Sequence, residues 1–499
     1  MTTFSKTIKF PIINEAYEQP TGLFINNEYV AAKSGKTFKV TTPINEELLC
    51  ELQEAGSEDV DYAVECASKA FKKWKFTKPE VRARLLYKVA DLMDEKRDLL
   101  AKIESLDNGK SLVCAKFDVN LVVEYLRSCA GYCDKIDGRT INTGPEYLTY
   151  TKREPLGVCG AITPWNFPLL MFAWKIGPCL ATGNTIVLKP ASATPLSNLY
   201  AASLFKEAGF PDGVVNIIPG SGRACGSAIL HHPKVKKVAF TGSTSVGKGV
   251  MKDAADSIKK VTLELGGKSP NIVFQDCDIE KTVQNLITGI FFNGGEVCCA
   301  GSRIYIQASD EEWYNEFLAK FKKAVEKIKV GNPFEEGVFQ GAQTTPDQFQ
   351  TVLDYVKIGK ESHLKVLTGG NRIGKRGYFV EPTVFYDVPQ SSRLTKEEIF
   401  GPVAVVLPFK SIEELIEKAN DSEYGLASGI HTEDINKALY VADRLEAGSV
   451  WINTYNDLQQ NSPFGGFKES GIGREMGAEA LDNYTQIKLV RAKISTPTL

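Results

Sequence analysis

Apolar residues recur along the chain in two patterns, one typical of amphipathic helices and one of buried strands. In residues 57–74 they return every three or four positions behind Ser57, which we expect to cap a helix, and residues 82–105 predict one further helix. Short apolar runs predict buried strands at 157–162, 184–189, 214–219 and 235–240. The helix-like segment 195–209 lies between two of these runs, and this alternation predicts a parallel α/β sheet.

A second α/β series follows Leu265. Its predicted elements are strands at 270–274, 302–307, 404–409 and 448–453, with helices near 311–328 and 411–420. Because no Pro- or Ser-rich linker separates the two series, we expect close packing, with a ligand cleft between the two halves. Residues 135–155 and 484–494 are strand-like and polar, and we expect them to pair as an arm that serves oligomer contacts.

Composition narrows the classes of function. The 499 residues carry a net charge of −2, which argues against nucleic acid or an anionic membrane as the main partner. Eleven cysteines, an odd number without a C-x-x-C pair, indicate a reducing compartment. The first residues have no signal or transit pattern, and no apolar run is long enough to span a membrane, so we expect a cytoplasmic protein. Only four histidines are present, which favours a carboxylate as any general base.

Two stretches are typical of dinucleotide binding. "VAFTGSTSVGK" (238–248) predicts a strand, a small-residue turn and a helix whose first N–H groups suit a phosphate, although a plain strand–helix turn explains it equally well. "IVLKPASATP" (186–195) places Lys189 at a strand end, where dinucleotides bind parallel sheets; a solvated lysine is the alternative. "GSGRACG" (220–226) is a tight turn or an adenine contact.

Three further stretches can carry chemistry. Asn166 lies between two aromatic residues in "ITPWNFP" (162–168), where it is a turn former or an oxyanion donor. Glu264 ends an apolar run, so it is a salt-bridged residue or a desolvated base with a raised pKa. "FFNGGEVCCAGSR" (291–303) contains the adjacent Cys298 and Cys299 without metal-ligand spacing, and its residues alone do not say which thiol reacts.

These stretches, with "EEIFGPV" (397–403) and "SPFGGFKESGIGRE" (462–475), appear in the order in which the NAD(P)-dependent aldehyde dehydrogenase superfamily has them. The sequence resembles that superfamily from residue 22 almost to its C-terminus, and most of all the fungal, class 1/2-like enzymes. The resemblance implies an α/β fold with a Rossmann-type cofactor domain, an α/β catalytic domain and a β oligomerisation arm. The implied bounds are 1–134 and 155–266 for the cofactor domain, 267–478 for the catalytic domain, and 135–154 and 479–499 for the arm.

The resemblance also assigns roles to residues. The superfamily's nucleophile motif, G-[QE]-x-C-x-A-G-S, selects Cys298, leaves Cys299 facing elsewhere, and implies Glu264 as general base and Asn166 as oxyanion donor. The implied cofactor contacts are Ile162, Thr163, Pro164, Trp165, Lys189, Ser192, Gly222, Phe240, Thr241, Gly242, Ser243, Thr244, Gly247, Leu265, Gly266, Glu398 and Phe400. The implied substrate pocket consists of Met171, Trp174, Phe292, Val297, Leu458 and Phe464.

The implied reaction oxidises an aldehyde through a cysteine thiohemiacetal and a thioester, and we expect local dipoles or charge to lower the pKa of the thiol. Many NAD-preferring relatives have Glu where this chain has Ser192, which predicts that NADP is accepted beside NAD and can be preferred. The uncharged pocket favours a small or medium aldehyde such as acetaldehyde, and the expected partner is a second copy of the chain, in a homotetramer or dimer. We expect no metal.

Alternatives within the superfamily are a semialdehyde or betaine-aldehyde dehydrogenase and an acylating, coenzyme A-dependent enzyme, which generally lacks the base. Outside it they are a cysteine esterase or acyl transferase and a non-enzymatic structural role.

Overall fold

The computed structural model describes residues 4–494 and contains two large sheets. The first has eight strands, of which the five central ones are parallel and the outer ones antiparallel. In spatial order they are Gly471–Ile472, Lys260–Glu264, Val235–Thr241, Val158–Ile162, Thr185–Lys189, Val215–Ile217, Leu23–Ile25 and Glu28–Val30.

Helices cover both faces of this sheet, which explains why its strands are continuous apolar runs. In the strand Thr185–Lys189, Ile186 and Leu188 belong to one apolar core and Val187 to another. The helices of this half are Ser57–Trp74, Pro79–Glu95, Arg97–Asn108, Leu112–Tyr132, Pro168–Ala181, Leu196–Ala208, Ser227–His231 and Thr244–Ala255, with a π-helical turn at Gly222–Gly226.

The second sheet has seven strands and is parallel except for one edge pair. In spatial order they are Lys365–Thr368, Thr383–Tyr386, Val403–Phe409, Arg303–Gln307, Pro270–Val273, Ala427–His431 and Ser449–Ile452. The helices of this half are Ile279–Phe291, Glu311–Val325, Pro346–Glu361, Arg393–Lys396, Ile412–Asn420 and Ile435–Ala442, with a 3₁₀ turn at Phe292–Gly295. The short helix Glu479–Asp482 packs against the helix Pro168–Ala181 of the first half.

A smaller, three-stranded sheet forms an arm. Thr485–Lys493 pairs antiparallel along the whole of Tyr147–Pro155, and Thr140–Ile141 adds to the far side. The predicted pairing of the 135–155 and 484–494 stretches is therefore confirmed. Short antiparallel pairs complete the strands: Ser5–Lys9 with Ala16–Pro20, Thr37–Thr41 with Leu48–Gln53, Arg372–Ile373 with Phe379–Val380, and Tyr424–Gly425 with Phe467–Lys468.

Two helix predictions were wrong in detail. Residues 82–105 lie in two helices that break at Lys96, where the backbone leaves helical geometry at φ −96°, ψ 13°. The helix predicted from Ser57 is capped by Gly56, whose N–H donates to the Asp59 carboxylate at 2.9 Å. In residues 4–494 we find no helix with the length and apolar character needed to cross a membrane.

Candidate active site

A cleft of about 300 Å³ opens where the first sheet faces the second half of the chain. The carboxyl ends of the strands Val235–Thr241 and Lys260–Glu264 lie side by side at this edge, since Thr241 and Glu264 are paired. The lining residues are Pro164, Trp165, Asn166, Phe167, Met171, Thr241, Gly242, Ser243, Glu264, Leu265, Gly266, Cys298, Gln348, Thr351, Glu398, Ile399 and Phe400. Cys298, Glu264 and Asn166 thus share one cavity.

The loop before Cys298 turns sharply and presents that thiol to the cleft. Asn293, Gly294 and Gly295 all have positive φ, at 52°, 62° and 73°, which reverses the chain between the helix ending at Phe291 and Cys298. Cys298 is half-buried and lines the cleft, whereas Cys299 is buried and its thiol donates to the Asn456 side-chain oxygen at 3.2 Å. The two adjacent thiols therefore face different surroundings.

The neighbours of Cys298 keep its thiol protonated. The Cys299 thiol, burial and the Glu264 carboxyl all raise the pKa of Cys298 well above its ordinary value. The expectation that local dipoles or charge lower this pKa was wrong for the groups that the structure describes. Formation of the thiolate therefore requires a base within reach.

Glu264 is placed to be that base. Its side chain is 2% exposed, and neither carboxylate oxygen has a hydrogen-bond partner of good geometry among residues 4–494. Burial raises the pKa of Glu264 to about 7, although the Cys298 thiol and the Lys175 ammonium both oppose the shift. The predicted rise is confirmed, and its cause is desolvation.

A buried ion pair lies within electrostatic reach of Glu264. The Lys175 ammonium meets a Glu475 carboxylate oxygen at 2.5 Å, and both side chains are nearly inaccessible to solvent. Lys175 is the one charged residue in the helix Pro168–Ala181, and this was the signal that the sequence interpretation missed.

The Asn166 amide is held by the nucleophile loop. Its Nδ2 donates to the backbone carbonyl of Glu296 at 2.9 Å, which uses one of its two N–H groups. The backbone N–H of Cys298 makes no hydrogen bond to the described residues. Asn166 and Cys298 therefore each keep an N–H group free, and both residues line the cleft.

Several predicted cofactor residues form a cradle at the carboxyl edge of the first sheet. The helix Thr244–Ala255 begins directly after Ser243, and the side-chain hydroxyls of Thr241 and Thr244 are buried without partners among residues 4–494. At Gly247 a Cβ atom would clash with Leu265, so the helix approaches the cleft closely only with glycine there. The first backbone N–H groups of a helix are donors that a phosphate group can use.

Lys189 and Ser192, two further predicted cofactor residues, lie at and just after the end of the strand Thr185–Lys189. The Lys189 side chain is buried and donates to the Pro190 carbonyl at 2.8 Å, and burial lowers its pKa. The Ser192 hydroxyl donates to the Gly220 carbonyl at 2.9 Å, which joins it to the turn that contains Gly222.

The opposite wall carries Glu398 and Phe400. Glu398 accepts a hydrogen bond from the Gly267 N–H at 2.9 Å, and burial raises its pKa to about 7. Phe400 has a positive φ of 58°, and its ring meets the Trp165 ring edge to face, with centroids 5.3 Å apart. At the edge of the first sheet, the Thr163 backbone N–H donates a hydrogen bond to the Lys189 carbonyl at 3.1 Å.

A sequence model of the aldehyde dehydrogenase family matches residues 29–490. The chain belongs to the aldehyde dehydrogenase family. An aldehyde dehydrogenase of Emericella nidulans is 53% identical over 496 residues, which cover 99% of each chain. One of Aspergillus niger is 53% identical over 480 residues, which cover 96% of each chain. The predicted resemblance to fungal members of the family is thus confirmed.

Solved aldehyde dehydrogenase structures share the fold. The NAD+ complex of the enzyme from Bacillus cereus is 48% identical, with a TM-score of 0.94 over 98% of this chain and 100% of that one. An indole-3-acetaldehyde dehydrogenase in complex with NAD+ is 39% identical, with a TM-score of 0.93. The predicted α/β fold with a Rossmann-type sheet is confirmed.

Of the predicted substrate residues, Met171 lines the cleft and the others lie outside its lining. Phe292 stacks on the cleft residue Phe167, with ring centroids 6.4 Å apart. Trp174 packs against Phe464 at 5.5 Å, and both are buried. Leu458 is half-buried outside the cleft lining, and Val297 lines a separate, small cavity beside Phe400.

Some residues of the site were not predicted. Gln348 and Thr351, on the helix Pro346–Glu361, line the cleft, and Gln348 donates to the carbonyls of Ile399 and Phe400 at 3.1 and 2.7 Å. Phe117 is half-exposed and meets the Phe292 ring edge to face at 5.8 Å. No motif marked these side chains, because packing between distant segments brings Gln348 and Thr351 to the cleft and Phe117 to Phe292.

Proposed function

We propose that this aldehyde dehydrogenase oxidises a small or medium uncharged aldehyde to its carboxylic acid, with NAD+ or NADP+ as hydride acceptor. The observation that carries the proposal is the meeting of Cys298, Glu264 and Asn166 in one cleft. A reactive thiol, a desolvated base and an amide donor are the groups that covalent oxidation of an aldehyde needs.

The residues of the cleft fit a dinucleotide. The helix start after Ser243 suits a pyrophosphate, and the Glu398 carboxylate suits ribose hydroxyls. The NAD+ complex of the Bacillus cereus relative supports NAD+ as one cofactor. Ser192 supports the use of NADP+ as well, because it brings no negative charge against a 2′-phosphate. The bound cofactor supplies the acceptor for the substrate hydride.

The chain's own groups would act in sequence. Glu264 takes the thiol proton of Cys298, whose sulfur then attacks the carbonyl carbon, while the Asn166 side-chain N–H and the Cys298 backbone N–H hold the oxyanion. After hydride loss the substrate is a thioester on Cys298. Glu264, with a pKa near the operating pH, releases the thiol proton to solvent and is a carboxylate again. It then removes a proton from the attacking water, the thioester C–S bond breaks, and the acid leaves while Cys298 regains a proton.

The cleft walls favour an uncharged substrate. No Lys or Arg lines the cleft in the described part of the chain, and Trp165, Phe167, Met171, Ile399 and Phe400 give it aromatic and aliphatic walls. A semialdehyde acid would leave its carboxylate without a counter-ion there. A betaine-aldehyde-type substrate is the second candidate, since aromatic walls also attract quaternary ammonium groups.

We further propose the domain bounds stated above, with the arm as an oligomer contact in a homotetramer or dimer, and the cytoplasm as the compartment. The last five residues assigned to the arm, 495–499, lie outside the described residues, as do residues 1–3 of the cofactor domain.

The test is reduction of NAD+ and NADP+ with an aldehyde panel, followed at 340 nm. Cys298→Ala should abolish turnover, because no other cysteine lines the cleft in residues 4–494. The matched control, Cys299→Ala, should keep most of it. Full turnover in Cys298→Ala contradicts the mechanism, and ester hydrolysis without reduction of either dinucleotide favours a cysteine esterase or acyl transferase instead.

A further inference from the structure

Glu296, two residues before the nucleophile, has a buried carboxyl with well-defined partners. Its side chain accepts hydrogen bonds from the Thr344 backbone N–H at 3.0 Å and from the Thr344 hydroxyl at 2.7 Å. Glu296 is 1% exposed, and burial raises its pKa to about 8 despite these two bonds. Burial of a carboxyl is costly unless it is hydrogen-bonded, so the two bonds from Thr344 hold this side chain in place.

The backbone of the same residue holds the oxyanion side of the site. The Glu296 carbonyl accepts from Asn166 Nδ2 at 2.9 Å and from Asn293 Nδ2 at 3.2 Å. Asn293 Nδ2 also donates to the backbone carbonyl of Asn166 at 3.1 Å. Movement of Glu296 therefore moves the Asn166 amide.

A second tether reaches the same segment from the other half of the chain. Asn108 Nδ2 donates to the Thr344 hydroxyl at 3.0 Å and to the Trp165 carbonyl at 2.8 Å. Asn108 ends the helix Arg97–Asn108, in the half that holds the first sheet. We call Asn108, Thr344, Glu296 and Asn293 together the Glu296 clamp, since their bonds close around residues 165 and 166.

We propose that Glu296 is a positioning residue: by binding Thr344 it fixes the carbonyl that orients the Asn166 amide beside Cys298. This inference rests on the function proposed above. One N–H of the amide is used by the Glu296 carbonyl, so the other is left to meet the oxyanion. Displacement of a catalytic group by about 1 Å typically costs on the order of 100-fold in rate.

The test compares Glu296→Ala with Glu296→Gln. The amide oxygen of Gln can accept from the Thr344 N–H, and its NH₂ can donate to the Thr344 hydroxyl, so the clamp keeps both contacts. Ala removes both. We expect kcat of the Ala variant to fall by roughly 10- to 100-fold with KM for the dinucleotide within about twofold, and the Gln variant to keep at least about a third of kcat.

A control separates positioning from loss of stability. Leu415→Ala removes a fully buried side chain from the helix Ile412–Asn420, in another core cluster, and should lower Tm without lowering kcat. Thr344→Val removes the hydroxyl, and with it the bond to Glu296 and the bond from Asn108, but keeps the backbone N–H that binds Glu296. It should lower kcat by roughly three- to tenfold and tests the clamp even if Glu296→Ala does not fold.

Three results overturn the inference: kcat of Glu296→Ala within threefold of wild type, a Gln variant as impaired as the Ala variant, or an equal loss of kcat in Leu415→Ala at the same Tm. If Cys298→Ala is inactive in the same assay, such a result contradicts the positioning role of Glu296 but not the proposed function. If the wild type oxidises no aldehyde, the proposed function itself fails.

Discussion

Glu264 links the electrostatics of the cleft to the pH dependence of turnover. Its pKa is raised to about 7 by burial, so the carboxyl is protonated below that pH and cannot accept the proton of the thiol or of water. We expect kcat to fall about tenfold per pH unit below pH 7. The measurement is kcat at saturating substrates from pH 5.5 to 9 at constant ionic strength.

A variant of Lys175 tests whether protonation of Glu264 causes this fall in kcat at low pH, the acid limb of the pH profile. The Lys175 ammonium lowers the pKa of Glu264, and its partner Glu475 raises it. Lys175→Met removes the positive charge and leaves the negative one, so the acid limb should move to higher pH. A limb near pH 4.5 in the wild type, the ordinary value for a carboxyl, contradicts the assignment to a desolvated Glu264.

The proposed use of NADP+ can be tested at one side chain, Ser192. Its hydroxyl donates a hydrogen bond to the Gly220 carbonyl, and the side chain carries no negative charge. Ser192→Glu should lower kcat/KM for NADP+ by more than about tenfold, because a carboxylate repels a 2′-phosphate, and should affect NAD+ less. Kinetics with both dinucleotides check this, and an unchanged, strong NAD+ preference in the wild type contradicts NADP+ use.

At the scale of elements, the sequence predicted strands better than the breaks between helices. The strand Thr185–Lys189 was readable because both of its faces are buried, which leaves an unbroken apolar run. The break at Lys96 could not be predicted, because the helical spacing of the buried residues Leu86, Val89 and Met93 continues across it to Leu100. Packing of two helices in different directions, which no local pattern records, decides that break.

The candidate site likewise contains residues that the sequence predicted and residues that it did not. Motif residues at strand ends, such as Lys189 and Glu264, lie along one edge of the first sheet because the carboxyl ends of its parallel strands share that edge. Gln348 lies in the first turn of the helix Pro346–Glu361, which contains no motif, so only the folded chain brings it to the cleft. The pKa of Cys298 was mispredicted because the nearest groups are an acid and another thiol, and neither favours the anion.

For the whole molecule, the arm is the surface that suits a second copy of the chain. The strand Thr485–Lys493 is at the edge of its sheet, so one row of its backbone groups is unpaired within the chain. Ile487 and Leu489 lie two positions apart on one face of this strand, 69% and 59% exposed. An open strand edge with an apolar face favours burial against another chain.

Replacement of Ile487 and Leu489 by Asp should therefore weaken assembly. We expect light scattering after size exclusion to give a lower mass for the double variant than for the wild type, since two charges would be buried without partners. The control Phe76→Asp changes an apolar side chain that is 77% exposed on a turn outside the arm, and it should leave the mass unchanged. A wild type that is a monomer, or a double variant that keeps the full mass, contradicts the role of the arm. Because Ile487 and Leu489 are exposed in the single chain, the double variant should keep the fold of each chain. Circular dichroism checks this.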